Sequence, residues 1–295
     1  MKQSAVVTAG TAGIGLETAI GLAEAGLAVT VVGRNPERGA RAIERINALG
    51  PLHSARFLAA DLSSLDEVRG LADRIAAGGP LNVLVNNVGA MFPDRQDSVD
   101  GIEASFAVNH LSSYLLTELL LPALRAGAPS RIVNVTSGAI GVAKRVFDAV
   151  EPPGGYYAFH WYGRAKLANL AYTLELARRL DGSDVSVFAA DPGGAATDMT
   201  DGTMGDPKIV SPGLRLLWPL VRRKFERSTS GPASVAARSS VFAATDESLS
   251  GRTGVVIGPE ARPVAPFRSA TEPGIAHAVR RLSERLAPLT PVTGS

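Results

Sequence analysis

The feature that most limits what this chain can fold into is a repeated alternation of short, continuously apolar, β-branched runs with longer helix-compatible stretches. Strand-like runs lie at Ser4–Thr8, Ala28–Val32, Ser54–Leu58, Val83–Val85, Arg131–Thr136, Val185–Ala189 and Gly254–Ile257. Between them, helical patterns run from Gly13 to Ala25, Glu37 to Leu49, Asp66 to Ala77, Gly101 to Arg125 and Tyr162 to Leu180. A strand that is apolar at every position, rather than every second one, is buried on both faces, as in a parallel sheet covered by crossover helices. Right-handed crossovers wind such a sheet outward in both directions from its middle. The expectation is an α/β fold: a doubly wound, mostly seven-stranded parallel sheet with helices on both faces. One domain is expected over residues 1–287, with a flexible tail at 288–295. Two stretches break the rhythm, 139–161 and 197–230, and long connections in a compact domain are commonly substrate lids.

Several function classes are excluded by counting. The chain has no cysteine, which removes disulfide frameworks, zinc–thiolate sites and cysteine nucleophiles. Its histidines, His53, His110, His160 and His277, show no short ligand spacing, so no metal site is expected. Thirty basic residues face 28 acidic ones, and the tight basic triplet Arg222–Arg223–Lys224 reads as a solvated face, so no nucleic acid partner is expected. No run approaches the roughly 18 apolar residues of a membrane span. With no leader pattern at Met1–Lys2, a cytoplasmic location is expected. The apolar Leu214–Val221 is either a lid or a membrane-contacting patch. Arg outnumbers Lys 25 to 5, a bias suggestive of a GC-rich bacterial genome.

The first strand runs into Thr8-Ala9-Gly10-Thr11-Ala12-Gly13-Ile14-Gly15 and then a helix. Glycines at such a turn let the backbone approach a pyrophosphate, which the helix N-terminus holds through its free N–H groups. Gly10, Thr11, Gly13, Ile14 and Gly15 are therefore candidate cofactor residues. The second strand ends in Gly33-Arg34-Asn35, where an acidic residue would grip the ribose 2′-hydroxyl of NAD. No acid stands there. Arg34, with Asn35 beside it, instead offers a cationic fork suited to a 2′-phosphate, so the cofactor expected is NADP(H).

Tyr162 and Lys166 are four residues apart in a helical stretch and share a face. Ser137 follows the fifth strand, at the carboxyl edge where doubly wound sheets bind ligands, and Asn109 and Asn86–Asn87 fall on segments adjoining that edge. A free tyrosine titrates near 10 and is a poor base at neutral pH. An ammonium about 4 Å away at an effective dielectric of about 20 interacts by roughly 4 kcal/mol, enough to lower that pKa by up to about three units. Ser137 would hydrogen-bond the substrate oxygen beside the tyrosine.

Taken in order, these motifs make the chain resemble the short-chain dehydrogenase/reductase family over essentially its whole length. Thr8–Gly15 resembles the family's TGxxxGxG turn, and Asn109, Ser137, Tyr162 and Lys166 resemble its catalytic tetrad. The resemblance implies that Asp61-Leu62 contacts adenine and that Asn87, Val88 and Gly89 line the cofactor. It also implies that Pro192, Gly193 and Thr197 flank the nicotinamide, that Lys166 holds its ribose, and that Asn109 anchors a water relaying protons to Lys166. Val108-Asn109-His110-Leu111 and Tyr162-Gly163-Arg164-Ala165-Lys166-Leu167-Ala168-Asn169 resemble the retinol-dehydrogenase-like and protochlorophyllide-reductase-like branch. That branch mostly uses NADP(H) and lipophilic carbonyls or alcohols. Two positions depart from the pattern: Ala9 replaces the first turn glycine, and Asp191 stands where the branch often has His.

The implied activity is hydride transfer between nicotinamide and a small hydrophobic or aromatic ketone, aldehyde or alcohol, with Tyr162 as general acid/base. Phe147, Tyr156, Tyr157, Phe159, Trp161, Leu214, Leu217 and Trp218 either line an apolar cleft or pack a lid and core. Two other readings remain open: a catalytically silent cofactor-binding regulator, and an epimerase or dehydratase working through transient oxidation. Family members often pair through the helices near 101–125 and 162–180, so a homodimer or homotetramer is possible and a monomer is not excluded.

Overall fold

A computed structural model describes residues 2–50, 54–193, 206–215 and 231–290. Its strands are β1 (Ser4–Val7), β2 (Ala28–Gly33), β3 (Ala55–Ala59), β4 (Val83–Asn86), β5 (Ser130–Val135), β6 (Val185–Ala190), β7 (Val255–Ile257) and β8 (Pro263–Val264). They form one sheet in the order β3-β2-β1-β4-β5-β6-β7-β8. All neighbours are parallel except the final pair, β7 with β8. Seven strands match the sequence reading. The eighth, two residues long and antiparallel, is an addition to it, too short to leave a periodic pattern.

The continuous apolar runs have the expected cause. Along each strand, alternate residues enter opposite cores. Ala5, Val7, Val83, Val85, Val133, Val135, Phe188 and Ala190 face one core, which contains α1 (Gly13–Glu24) and α2 (Pro36–Asn47). Val6, Leu84, Ile132, Val187 and Ala189 face the other, which contains α3 (Leu65–Ala76). Short polar side chains start α2 and α3. Asn35 accepts a hydrogen bond from the Arg38 N–H (3.0 Å), and Ser64 accepts one from the Glu67 N–H (3.3 Å).

The stretch expected as one helix over 101–125 is divided. It runs as α4 (Ala104–Phe106), a π-turn (Ala107–Leu111) and α5 (Ser112–Ala126). The π-turn contains Asn109, and such widened turns often mark functional positions. Then come α6 (Ala158–Arg179), a short α7 (Pro212–Arg215), α8 (Ala233–Thr245) and α9 (Pro273–Leu286). Helix α8 packs on α1, where Val241 would meet a Cβ on Gly21 at 2.7 Å, so the glycine sets that close approach. Helix α9 lies on α6 and buries Val279 and Leu282 in the second core. Strand order reverses between β1 and β4, so their carboxyl ends open a crevice at the topological switch point. Among the described residues no helix is long and apolar enough to cross a membrane.

Candidate active site

The crevice is a cavity of about 1170 Å³ that runs from Arg34 and Arg38 at one end to Ser137, Tyr162 and Lys166. Its floor is the turn between β1 and α1. Ala9 adopts φ 48° and Gly13 φ 53°, so the chain keeps a left-handed turn even where alanine replaces glycine. A Cβ on Gly15 would stand 2.2 Å from the Ala9 carbonyl oxygen and 2.4 Å from Asn87 Nδ2, so no larger residue fits. Thr8 Oγ1 accepts from the N–H groups of Asn87 (2.9 Å) and Val88 (3.3 Å), which ties β4 to the turn. Helix α1 begins with no side-chain cap and no acidic residue in its first turn, an end where the helix dipole would favour an anion.

Most of the expected cofactor residues border this cavity: Thr11, Gly13, Ile14, Gly15, Arg34, Asn35, Asp61, Leu62, Asn87, Val88, Gly89, Pro192 and Gly193. Thr197 lies outside the described residues, as do His53, Leu217, Trp218 and Arg222–Lys224. Gly10 does not border the cavity. It is buried, its N–H donates to the Val32 carbonyl (2.9 Å), and a Cβ there would press on the Val7 oxygen at 2.8 Å. Gly10 therefore lets the turn pack on the sheet and stands behind the cavity wall. Asn35 borders the cavity, but its side-chain oxygen caps α2. Asp61 turns its carboxylate to the N–H (2.9 Å) and Oγ (2.8 Å) of Ser63.

The chemical end is built by α6 pressing on the segment after β5. A Cβ on Gly163 would sit 2.4 Å from the Ala139 carbonyl, so glycine at that position lets Tyr162 reach Ser137. The two side chains share a hydrogen bond. One turn further along α6, Lys166 Nζ donates to the carbonyls of Val88 (2.9 Å) and Val135 (3.0 Å) and lies 5.7 Å from the Tyr162 ring centre. Asn109 does not border the cavity. Its Oδ1 accepts from Ala90 N–H (2.7 Å) and its Nδ2 donates to the carbonyls of Ala90 and Ser105 (both 2.8 Å).

Electrostatics differ from the sequence expectation. Burial pushes the Tyr162 hydroxyl above its ordinary pKa; the Ser137 hydrogen bond opposes this, and the Asp191 charge adds to it. Burial also pulls Lys166 down to about 7, so its ammonium is only partly populated at neutral pH and offers little pull on the tyrosine proton. Desolvation is the largest cause of both shifts. Asp191 is itself shifted upward by burial while accepting from the Gly193 N–H (2.9 Å).

Of the aromatics grouped before Tyr162, Phe159 borders the cavity. The others pack. Phe147 stacks near Phe106 and Arg164, Trp161 lies against Tyr156, and the Tyr156 hydroxyl donates to the Phe92 carbonyl (2.7 Å). Leu214 joins Ile209 and Val210 in a small cluster over Phe159 and Tyr162. Sequence reasoning missed Met91, Phe92 and Arg38 as cavity residues. Arg38, four residues beyond Arg34, was the legible one, because two arginines beside a 2′-phosphate position are a stronger signal than one. Among the described residues no cluster of His, Asp and Glu could hold a metal ion.

The chain is similar to known proteins. The family model for short chain dehydrogenases matches residues 3–207. The chain is 36% identical over 227 residues to mouse retinol dehydrogenase 12, covering 77% of this chain and 69% of that one. It is 42% identical over 202 residues to mouse polyprenol dehydrogenase, covering 66% of this chain and 60% of that protein. Among solved structures, the Pseudomonas aeruginosa RhlG/NADP active-site complex superposes with a TM-score of 0.67 at 28% identity, over 88% of this chain and 95% of that one. The chain belongs to the short-chain dehydrogenase family of oxidoreductases, and the retinol-dehydrogenase-like branch of that family is supported.

Proposed function

We propose that this protein is an NADP(H)-dependent carbonyl reductase or alcohol dehydrogenase acting on uncharged, hydrophobic substrates. The observation that carries the reading is the convergence of Ser137, Tyr162 and Lys166 at one end of a cavity whose other end holds two arginines. The cradle fits a dinucleotide: uncapped N–H groups stand at the start of α1, and Gly15 leaves no room for a side chain beneath them. Thr11, Gly13, Ile14 and Gly15 would hold the pyrophosphate, Asp61 and Leu62 would border adenine, and Arg34 and Arg38 would bind the 2′-phosphate. Asn87, Val88, Gly89, Pro192 and Gly193 would surround the nicotinamide. Bound there, the nicotinamide supplies or accepts a hydride.

The chain's own residues handle the proton. Tyr162 is held protonated by burial, the state needed to donate to a carbonyl oxygen during reduction. Ser137 hydrogen-bonds the tyrosine and orients the substrate oxygen beside it. Lys166 sits next in line to return the proton, and a pKa near 7 suits transfer in either direction at neutral pH. Met91, Phe92 and Phe159 exclude water and favour an apolar substrate. A relative that is a retinol dehydrogenase, another that is a polyprenol dehydrogenase and a solved structure holding NADP support this direction.

Turnover of NADPH with decanal or retinal, compared between wild type and Tyr162→Phe, tests the reading. The variant is expected to lose at least about a thousandfold in kcat, within the range for general acid–base catalysis, while its NADPH affinity stays within a few-fold. Turnover near wild type would remove Tyr162 from the role.

A further inference from the structure

The main-chain carbonyl of Asn109, inside the π-turn, accepts a hydrogen bond from Asn169 Nδ2 at 2.7 Å. That bond fixes the orientation of the Asn169 amide, because the reverse orientation would set oxygen against oxygen. Asn169 Oδ1 then faces His110 Nδ1 at 2.8 Å. An amide oxygen only accepts, so Nδ1 carries the imidazole proton. Burial pushes the His110 pKa down to about 4, with Arg164 and Lys166 adding to the effect, so the ring is neutral and Nε2 is bare. Ser283 Oγ, on α9, lies 2.7 Å from Nε2 and 2.8 Å from the Val279 carbonyl. Its single proton turns to the bare nitrogen. Asn109, His110 and Ser283 are fully buried, and Asn169 is 3% exposed, so water does not substitute for these partners.

We propose that Asn169, His110 and Ser283 are positioning residues: a buried relay that sets the Asn109 main-chain carbonyl and, through it, the lysine of the active site. The geometry forms a closed circuit. Asn169 stands three residues beyond Lys166 on α6. It holds Asn109, whose side chain clamps both the N–H and the carbonyl of Ala90. Two residues before Ala90 is the Val88 carbonyl that receives Lys166 Nζ. A carbonyl offers two acceptor directions. With one taken by Asn169, the direction of the other is set, which is what an ordered proton path to Lys166 requires. The tether at Ser283 makes the C-terminal helix a support of the catalytic centre. This inference rests on the roles proposed above for Tyr162 and Lys166.

The test uses the whole chain with NADPH and decanal, and variants Asn169→Asp, Ser283→Ala, His110→Phe and His110→Asn, with Tyr162→Phe as reference. Asn169→Asp keeps the shape and loses the donor to Asn109. It is expected to lower kcat about tenfold or more, as misplacement of a proton-path group does, while NADPH affinity stays within about twofold. The solvent deuterium isotope effect on kcat should rise, a change that mere loss of stability does not produce. Ser283→Ala should move both quantities the same way by a smaller factor. His110→Asn, which restores a donor toward Asn169, should recover activity that His110→Phe loses. Nitrogen NMR of the wild type should show the Nδ1–H tautomer of His110, and Asn169→Asp, whose carboxylate oxygen still accepts from Nδ1, should keep it. Unchanged kcat and isotope effect in folded Asn169→Asp and Ser283→Ala, with Tyr162→Phe inactive, would overturn the relay and leave the proposed function standing. Turnover by Tyr162→Phe would overturn the function itself. The opposite tautomer in the wild type would overturn the relay whatever the activities.

Discussion

Lys166 places an ammonium-forming group against the Val88 and Val135 carbonyls, in a setting dry enough to bring its pKa to about 7 from an unperturbed 10.5. Between those two values the unfolded chain holds the proton and the folded chain does not. Stability therefore rises with pH across that window, and the contribution is lost as pH falls towards 7. Urea denaturation at pH 7.5 and 9.5 should show wild type gaining more at the higher pH than Lys166→Met. Equal gains would mean that the lysine stays charged in the fold. At the other end of the cavity, Arg34→Ala is expected to weaken NADPH by one to two orders of magnitude, about the worth of one or two charge-assisted hydrogen bonds, and NADH hardly at all. A titration following nicotinamide fluorescence reads both, and equal loss would make Arg34 structural. The sequence made these two residues legible because each stands at a position with a chemical consequence: Arg34 where an acid is missing, Lys166 one turn from a tyrosine. It left Gly10 ambiguous, since a glycine that packs on Val31 and one that cradles a phosphate are written with the same letter.

Arg164 governs the insertion that precedes α6. Its side chain is fully buried, lies 4.5 Å from the Phe106 ring centre and 5.0 Å from that of Phe147, and donates to the carbonyls of Val146 (2.9 Å) and Ala149 (3.1 Å). The segment around 143–151 has little regular structure of its own, so this arginine holds it against the core. Arg164→Gln should release it. Trypsin cleavage at the exposed Arg145 is expected to accelerate about tenfold, the effect of losing a charged hydrogen bond from a locally opening segment. No change in nicking would mean that the insertion is held by its apolar contacts alone. Elements were readable where periodicity is long and clean: seven strands and the helices between them follow from it. The π-turn was not, because its extra residue is set by tertiary partners of Asn109 and leaves the apolar pattern of 101–126 intact. Helices α8 and α9 were missed as well: the buried face of α8 is alanine and serine, which leaves a weak apolar period, whereas α9 buries Val279 and Leu282 in a pattern the sequence did carry.

At the scale of the molecule, α9 lies across α6 and reaches the π-turn that precedes α5. Ser283 meets His110, and Arg280 pairs with Glu175 (3.3 Å). Beyond it, Arg69 donates to the Leu289 carbonyl (2.8 Å), so the chain is held past the helix end. The helix face through which family resemblance suggested pairing is thus partly covered by the chain's own last helix. Light scattering after size exclusion should give the mass of one chain; a dimer would place the contact on another face or require α9 to move. The sheet's outer margin carries a further consequence. Without β8, the row of amides and carbonyls on Val255–Ile257 would offer a template to any passing extended strand. The two-residue strand covers that row. Pro263 at its start has no N–H to extend the ladder outward, so this margin resists the strand-on-strand growth that turns a crowded solution of sheet proteins into fibrils.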